Sequence, residues 1–435
     1  MEKERNKNWQ VPFFTIWIGQ QLSLFGSELA GFGLTWWVTE STGSAMTLAT
    51  MTMIMMLPGV LLGPFVGALI DRWNRRTVMI IADSIVALFS AWLVYLLWVD
   101  ALQMWHVYLI TLVRAIGGVF HWPAMSASTS LMVPEKHLSR VAGINQTMMG
   151  IRSIISPPLG ALLMTLLPLP GIMGIDVVTA ALAIVPLFFI HIPQPERKPV
   201  PTEAKTGLAS LWHDVREGLL YVWHWPGLMG ILIMATLINL LLNPAFSLMP
   251  LLVTKHFGGQ EFQLGWMNSV WGIGVVVGGL ILSTWGGFKR RILTTLLGLL
   301  GMGVGTLLLG LAPSTAFGLA LGAMLFVGLM NPITNGPVNA IFQSSVEPEM
   351  QGRVFTLIGS ACQAMSPLGM AIAGPVADKF GVQSWFLIGG TTCVLMSLIG
   401  YLTPAIINVE KNKQHPATVE KQELAAIPVQ AGTET

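Results

Sequence analysis

Long apolar stretches, cut at regular intervals by short polar clusters, set the pattern of this chain. A helix rises 1.5 Å per residue, so about 20 mostly apolar residues cross the ~30 Å hydrocarbon core of a bilayer. Runs of that length fall at 13–38, 46–70, 78–99, 105–128, 144–166, 172–192, 227–252, 264–285, 292–312, 316–339, 354–377 and 385–407. The pattern predicts an all-α polytopic membrane protein with twelve transmembrane helices. Prolines and paired polar residues interrupt several runs, which buried membrane helices tolerate where neighbours satisfy the freed backbone groups. After the sixth run, 193–226 opens on the breaker-rich PQPERKPVPTE. It continues as a helical stripe through Leu208, Leu211, Trp212, Val215, Leu219 and Val222, opposite Asp214, Arg216 and Glu217. That stripe predicts an amphipathic helix lying on the membrane surface. The last segment, 408–435, is polar, and its composition predicts disorder.

An internal repeat divides the runs into two sets of six. Val133-Pro134-Glu135 through Arg140-Val141 recurs as Val346-Glu347-Pro348-Glu349 through Arg353-Val354. Ser156-Pro157-Pro158-Leu159-Gly160 is echoed by Ser366-Pro367-Leu368-Gly369, and the basic loop Arg72 to Arg76 by Lys289-Arg290-Arg291. The predicted organisation is a six-helix half over 1–192, a linker with its amphipathic helix over 193–226, a second half over 227–407, and a tail over 408–435. Parallel repeats of this kind pack about an axis normal to the membrane, with a site between them near the midplane.

Composition agrees with the pattern. Hydrophobic residues make up 53% of the 435 and charged residues 10%, against about 25% charged in soluble domains. So few charges cannot solvate a globule of this size. Cys362 and Cys393 both lie in apolar runs, which excludes a disulfide framework or a thiolate zinc site. There is no phosphate-cradling glycine loop, His-Cys cluster or GxSxG elbow, so no enzyme, cofactor, metal or nucleic-acid partner is expected. The first apolar run lacks a small-residue cleavage site and is expected to be a retained helix. Charge position fixes the orientation. Of 23 lysines and arginines, nineteen fall on the side of the N-terminus, two (Lys255 and Lys379) on the other, and two (Arg114 and Arg152) inside helices. The positive-inside rule then puts both termini in the cytoplasm.

Three segments carry mechanism. Gly67-Ala68-Leu69-Ile70-Asp71-Arg72-Trp73-Asn74-Arg75-Arg76 follows the second helix. Glycine permits close helix approach, and Asp71 can cap a helix or pair with an arginine across the seam between the halves, forming a cytoplasmic gate. In the fourth helix, Arg114 precedes Gly117-Gly118 near mid-depth. The fifth carries Ser156, Pro157, Pro158 and Gly160, small and bending residues that suit close packing. Together these resemble the loop signature, second motif and antiporter motif of the major facilitator superfamily. From end to end the chain is similar to the macrolide-efflux branch of its drug:proton antiporters. That likeness rests on Thr15-Ile16-Trp17 with Gly19-Gln20, Thr42-Gly43-Ser44-Ala45-Met46, His121 with Pro123-Ala124, Ile175-Asp176-Val177 and Gly352-Arg353-Val354-Phe355. It implies the major facilitator fold and proton-driven export of hydrophobic or amphipathic compounds by a monomer in a bacterial cell membrane. Related members export siderophores, and lipid or siderophore export is the alternative.

Ionisable residues inside a membrane are functional candidates by default. They are Glu28, Asp83, Arg114, Arg152 and Asp176, all in the first half. Length arithmetic puts Glu28 near the midplane, where Arg114 or Arg152 can pair with it, and makes it the candidate proton switch. A permanent Glu28–Arg152 ion pair is the competing reading. Asp83 is expected to pair with Arg72 or Arg76 and His121 to be a packed or capping residue, while Asp176 resembles the superfamily's helix 6 aspartate, which implies a place near the outer mouth. Candidate substrate residues are Gln20, Gln21, Asn239, Asn243, Trp271, Asn335, Phe355 and Gln363. Trp36 and Trp37 are expected in the interfacial belt.

Overall fold

The computed structural model describes residues 9–194, 219–346 and 348–410. The side chains of 64, 67, 68, 71, 72, 135, 139, 345, 348–353, 355 and 356 also fall outside the description. Among the described residues there are twelve long helices and no strand. In order they are α1 (Gln10–Thr42), α2 (Ala45–Arg72), α3 (Arg75–Trp98), α4 (Met104–Met132), α5 (Glu135–Leu166), α6 (Leu169–Phe189), α7 (Pro226–Leu241), α8 (Glu261–Trp285), α9 (Arg291–Leu311), α10 (Phe317–Ser345), α11 (Pro348–Phe380) and α12 (Val382–Leu402). Eleven are long and apolar enough to cross a membrane. The exception is α1, whose hydropathy is lowered by Gln20, Gln21, Ser23, Ser27 and Glu28. Its place in the bundle explains them, because these polar residues supply much of the site below.

Two elements differ from expectation. The polar stretch between the fourth and fifth runs is largely helical, since α4 reaches Met132 and α5 begins at Glu135. A hydropathy pattern ends where charge begins, but a helix does not. The seventh run is broken: after α7 come short turns at Asn243–Ser247 and Met249–Leu251 and a π-turn at Leu252–His256. Pro244 and Pro250 explain the break, since each withdraws an N–H from the ladder. The carbonyl of Leu240, four residues before Pro244, faces Gly369 of α11, where a Cβ would stand 2.0 Å from it. Only glycine permits that approach. Most of the predicted amphipathic helix and the tail beyond 410 lie outside the described residues; what remains of the former is a helical turn over 219–223, with Val222 buried.

Each half repeats one packing scheme. In the first, α1 packs on α5 and α6, α2 on α4, and α3 on α4 and α6. In the second the same pairs recur six helices on, as α7 with α11 and α12, α8 with α10, and α9 with α10 and α12. The halves meet along α2–α11 and α5–α8. We call the side bearing the start of α1 and the end of α12 the terminal face and the opposite side the distal face. Toward the distal face one apolar cluster crosses the seam. Trp36, Ala45 and Leu48 of the first half join Leu248, Met249, Leu264, Ala373, Ala377 and Trp385 of the second. Trp36 is thus sealed inside, only 4% exposed, and Trp37 is partly buried against a first-half cluster, rather than both lying in the belt. Tryptophans nearer helix ends, such as Trp98, Trp105, Trp223 and Trp266, are exposed.

Candidate functional site

Glu28 lies midway along α1, and α5 brings two donors to it. Arg152 Nε donates to Glu28 Oε1 at 3.0 Å, and Ser156 Oγ donates to Oε2 at 2.6 Å. Arg152 and Ser156 are four residues apart, so one helix face presents both. The same guanidinium donates to Gln21 Oε1. Arg152 is buried while the Glu28 side chain is 40% exposed. The acid is therefore reachable while its counter-charge is fixed from behind, and charge-assisted bonds of this type are the strong ones.

Arg114 is engaged elsewhere. It donates to Asp176 and, at 2.8 Å, to Ser90 Oγ, and its second terminal nitrogen donates to the Ser27 carbonyl at 3.3 Å. Ser27 and Ser90 hydroxyls donate to Asp176 at 2.8 and 2.9 Å. Asp176 is only 1% exposed, enclosed by α1, α3, α4 and α6. It is the centre of a buried network and not an outer-mouth residue. Depth along a helix was readable from sequence, but the inward direction of its side chain was not. Of the two arginines, Arg152 alone reaches Glu28.

Asp83 also has other partners than expected. It accepts from Gln20 Nε2 at 3.0 Å and lies 3.4 Å from His121 Nε2. His121 is buried, as the packed alternative has it, and borders the cavity described next. Arg76 instead donates to the carbonyls of Leu187 and, at 2.6 Å, Phe188, at the end of α6. Arg75 donates to the Ala127 carbonyl of α4 at 3.1 Å. The two arginines thus tie the start of α3 to the ends of α4 and α6, inside the first half. The side chains of Asp71 and Arg72 fall outside the description, as does any Cβ-level contact of Gly67.

A cavity of about 400 Å³ opens among α1, α4 and α5, bordered by Trp17, Gln20, Gln21, His121, Asn145 and Arg152. Its lining lies between mid-depth and the terminal face, where the helices end at Met132 and begin at Glu135. Sequence reasoning missed Asn145, which accepts from Trp17 Nε1 at 2.6 Å. The signal was available: Ala142, Asn145, Met149 and Arg152 recur at helical spacing on one face of α5. In the second half, about 280 Å³ is bordered by Asn243, Asn268, Trp271, Met302 and Asn331, and about 130 Å³ by Asn239, Thr334 and Asn335. Asn243 Nδ2 donates to Asn239 Oδ1 at 2.7 Å and to Ser366 Oγ at 3.0 Å. Gln363 is exposed and borders none of these cavities; the Phe355 side chain falls outside the description.

Ser156, Pro157 and Gly160 lie where α5 meets α1 and α8. Gly160 faces the ring of Phe32 on α1, and Gly265 of α8 faces Pro157 and Pro158. Pro158 has no N–H for the Ile154 carbonyl, four residues back. Ser269 Oγ of α8, which lies 3.0 Å from the Gly265 carbonyl of its own helix, stands 3.1 Å from that oxygen and can share its hydrogen with it. The proline in the first half is thereby answered by a hydroxyl from the second.

The family model described as Major Facilitator Superfamily matches residues 16–370. Macrolide efflux protein A of Streptococcus pyogenes is 32% identical over 396 residues, covering 91% of this chain and 96% of that one. Multidrug efflux pump Tap of Mycolicibacterium fortuitum is 26% identical, covering 88% and 95%. Among solved structures, a bacterial homologue of the human lysosomal transporter Spinster, inward-facing and unoccupied, superposes with a TM-score of 0.65 at 13% identity, over 93% of this chain and 98% of that one.

Proposed function

We propose that this chain, which belongs to the major facilitator superfamily, is a proton-coupled exporter of hydrophobic or amphipathic small molecules, macrolide-like drugs among them, working by alternating access as a monomer. The observation that carries the reading is the Glu28–Arg152–Ser156 cluster, whose Arg152 also borders the cavity. A carboxylate at this depth costs several kcal/mol unless it is neutralised by a proton or a cation. Arg152 supplies the cation in the arrangement described. When α5 shifts against α1 within the first half and the pair separates, a proton does the same work, so the site's charge and its conformation are coupled.

The positive-inside bias puts the terminal face in the cytoplasm. With the distal ends packed together, the cavity then faces inward, ready to load a substrate for export. Trp17 and Met125 offer apolar surface, and Gln20, Gln21 and Asn145 offer amide groups, a combination suited to an amphipathic molecule. His121 borders the same cavity, and the Asp83 carboxylate 3.4 Å behind it is a second place to hold a proton. Asp176, locked to Arg114, frames the bundle. The efflux functions named for the two relatives support export over import.

The test is a panel of macrolides, other amphipathic drugs, siderophores and lipids in proteoliposomes carrying the full chain under an imposed pH gradient. Gradient-dependent, uncoupler-sensitive movement of a drug, opposite in direction to the protons, is expected. Uphill movement that survives the uncoupler would remove proton coupling from the reading. Movement of siderophore or lipid alone would replace the substrate class.

A further inference from the structure

The turn between α1 and α2, at the distal face, is held between two charges of the other half. α1 ends on Gly43, which adopts φ 57° and returns its N–H to the Thr39 carbonyl at 2.9 Å. α2 starts immediately, with Ser44 as its N-cap. Beside the end of α1 stands Lys255 of the π-turn. Its Cε and Nζ lie 3.5 and 3.9 Å from the point a Cβ on Gly43 would occupy, ordinary contact distances. Over the start of α2 stands Asp378, near the end of α11. Its Oδ1 accepts the Ala45 N–H at 2.8 Å, and its Oδ2 accepts the Met46 N–H at 2.9 Å and the Ser44 hydroxyl at 3.2 Å.

Both placements follow the helix dipole, which is negative at a C-terminus and positive at an N-terminus. The cation faces the end of α1, and the anion the start of α2. One turn before Asp378, on the same face, a Cβ at Gly374 would lie 2.9 Å from the Met46 Cα. α11 therefore touches the backbone of α2 and, four residues on, caps it. The ion pairs described above all join residues within the first half, whereas this contact crosses the seam.

We propose that Asp378, supported by Lys255, is the latch that holds the distal gate shut, and that its release opens the transporter to that side. The three donors belong to one half and the acceptor to the other, so rocking the halves apart at this face breaks all three bonds together. Asp378 and Met46 are exposed, so water replaces the lost partners as they separate. That makes the latch reversible, as a cycling gate requires. The inference rests on alternating access and is independent of which substrate or ion drives it.

The test places one reporter cysteine at a time in a background carrying Cys362→Ser and Cys393→Ser. Leu48→Cys reports the distal seal, where the side chain is 1% exposed, and Ser130→Cys reports the mouth of the terminal-side cavity. Labelling by a membrane-impermeant maleimide is timed with Asp378 intact, with Asp378→Ala and with Asp378→Glu. Asp378→Ala is expected to speed labelling at position 48 about tenfold and to slow it at 130, because one population gains what the other loses. Asp378→Glu, which keeps the charge, is expected to stay near the parent. General loosening would speed both reporters, and unchanged rates at both would show that other contacts hold the gate; either result overturns the proposal.

Discussion

Glu28 and Asp176 are both carboxylates paired with an arginine in the same half, yet their surroundings assign them different work. Glu28 is 40% exposed, while Asp176 is 1% exposed with three side-chain donors. Exchange with solvent protons is open to the first and closed to the second. Glu28→Gln keeps the shape and mimics the protonated form. It is expected to bind substrate and support counterflow, and to fail at uphill transport, both measured in the same vesicles; wild-type uphill transport would move the switch to Asp83. Asp176→Asn instead leaves Arg114 without its counter-charge, a change that costs about 3–5 kcal/mol for a buried pair. A clear fall in Tm of the purified protein is expected, partly recovered by adding Arg114→Gln. An unchanged Tm would mean that Arg114 finds water in place of Asp176. The residues of both clusters were visible in the sequence, since charges are rare in these helices. Their pairing was only half visible. Residue counting gives height along an axis, and partner choice depends also on the angle around it, which neighbouring helices set.

At the scale of elements, prolines made the helix pattern look weaker than it is. They proved to be contact points between helices. Pro158 leaves the Ile154 carbonyl to Ser269 across the seam, and Pro244 leaves the Leu240 carbonyl against Gly369. The Ser-Pro-Pro-Leu-Gly run was legible as a bend, but Ser269 was not, because a lone serine among apolar residues carries no mark of its partner. Removing the hydroxyl leaves a part-buried acceptor unsatisfied, a loss of up to about 1–3 kcal/mol. Ser269→Ala is therefore expected to destabilise the parent. In a Pro158→Ala background, where the helix recovers its own N–H donor, the same change is expected to cost markedly less. A double-mutant cycle by thermal unfolding reads the difference, and a cost equal in both backgrounds would mean that the bond to Ile154 contributes nothing.

Across the whole molecule the two halves share a scaffold and differ in charge. The repeat in the sequence announced the scaffold, and the helix pairings recur six helices apart as it implies. The echoed Ser-Pro segments show how the chemistry diverged. In the first half Ser156 donates to Glu28 of α1; in the second, Ser366 accepts from Asn243 in the stretch just after α7. A carboxylate on one side thus corresponds to an amide on the other, at matching places in the two repeats. An amide cannot take up a proton at physiological pH, but it can donate to and accept from a bound molecule. Asn239 and Asn243 form a chain beside the second-half cavities, and Asn268, Asn331 and Asn335 border them. Substitution there is accordingly expected to change what is carried and not how it is driven. Asn239→Ala and Asn243→Ala should alter the relative transport rates of a drug panel several-fold, each net hydrogen bond to a ligand being worth about 0.5–1.5 kcal/mol. Protons moved per substrate, measured from the pH change during transport in lightly buffered vesicles, should stay as in the parent. If either alanine variant keeps the parent's order of substrates and loses its proton movement, the second half takes part in coupling and the division between the halves fails.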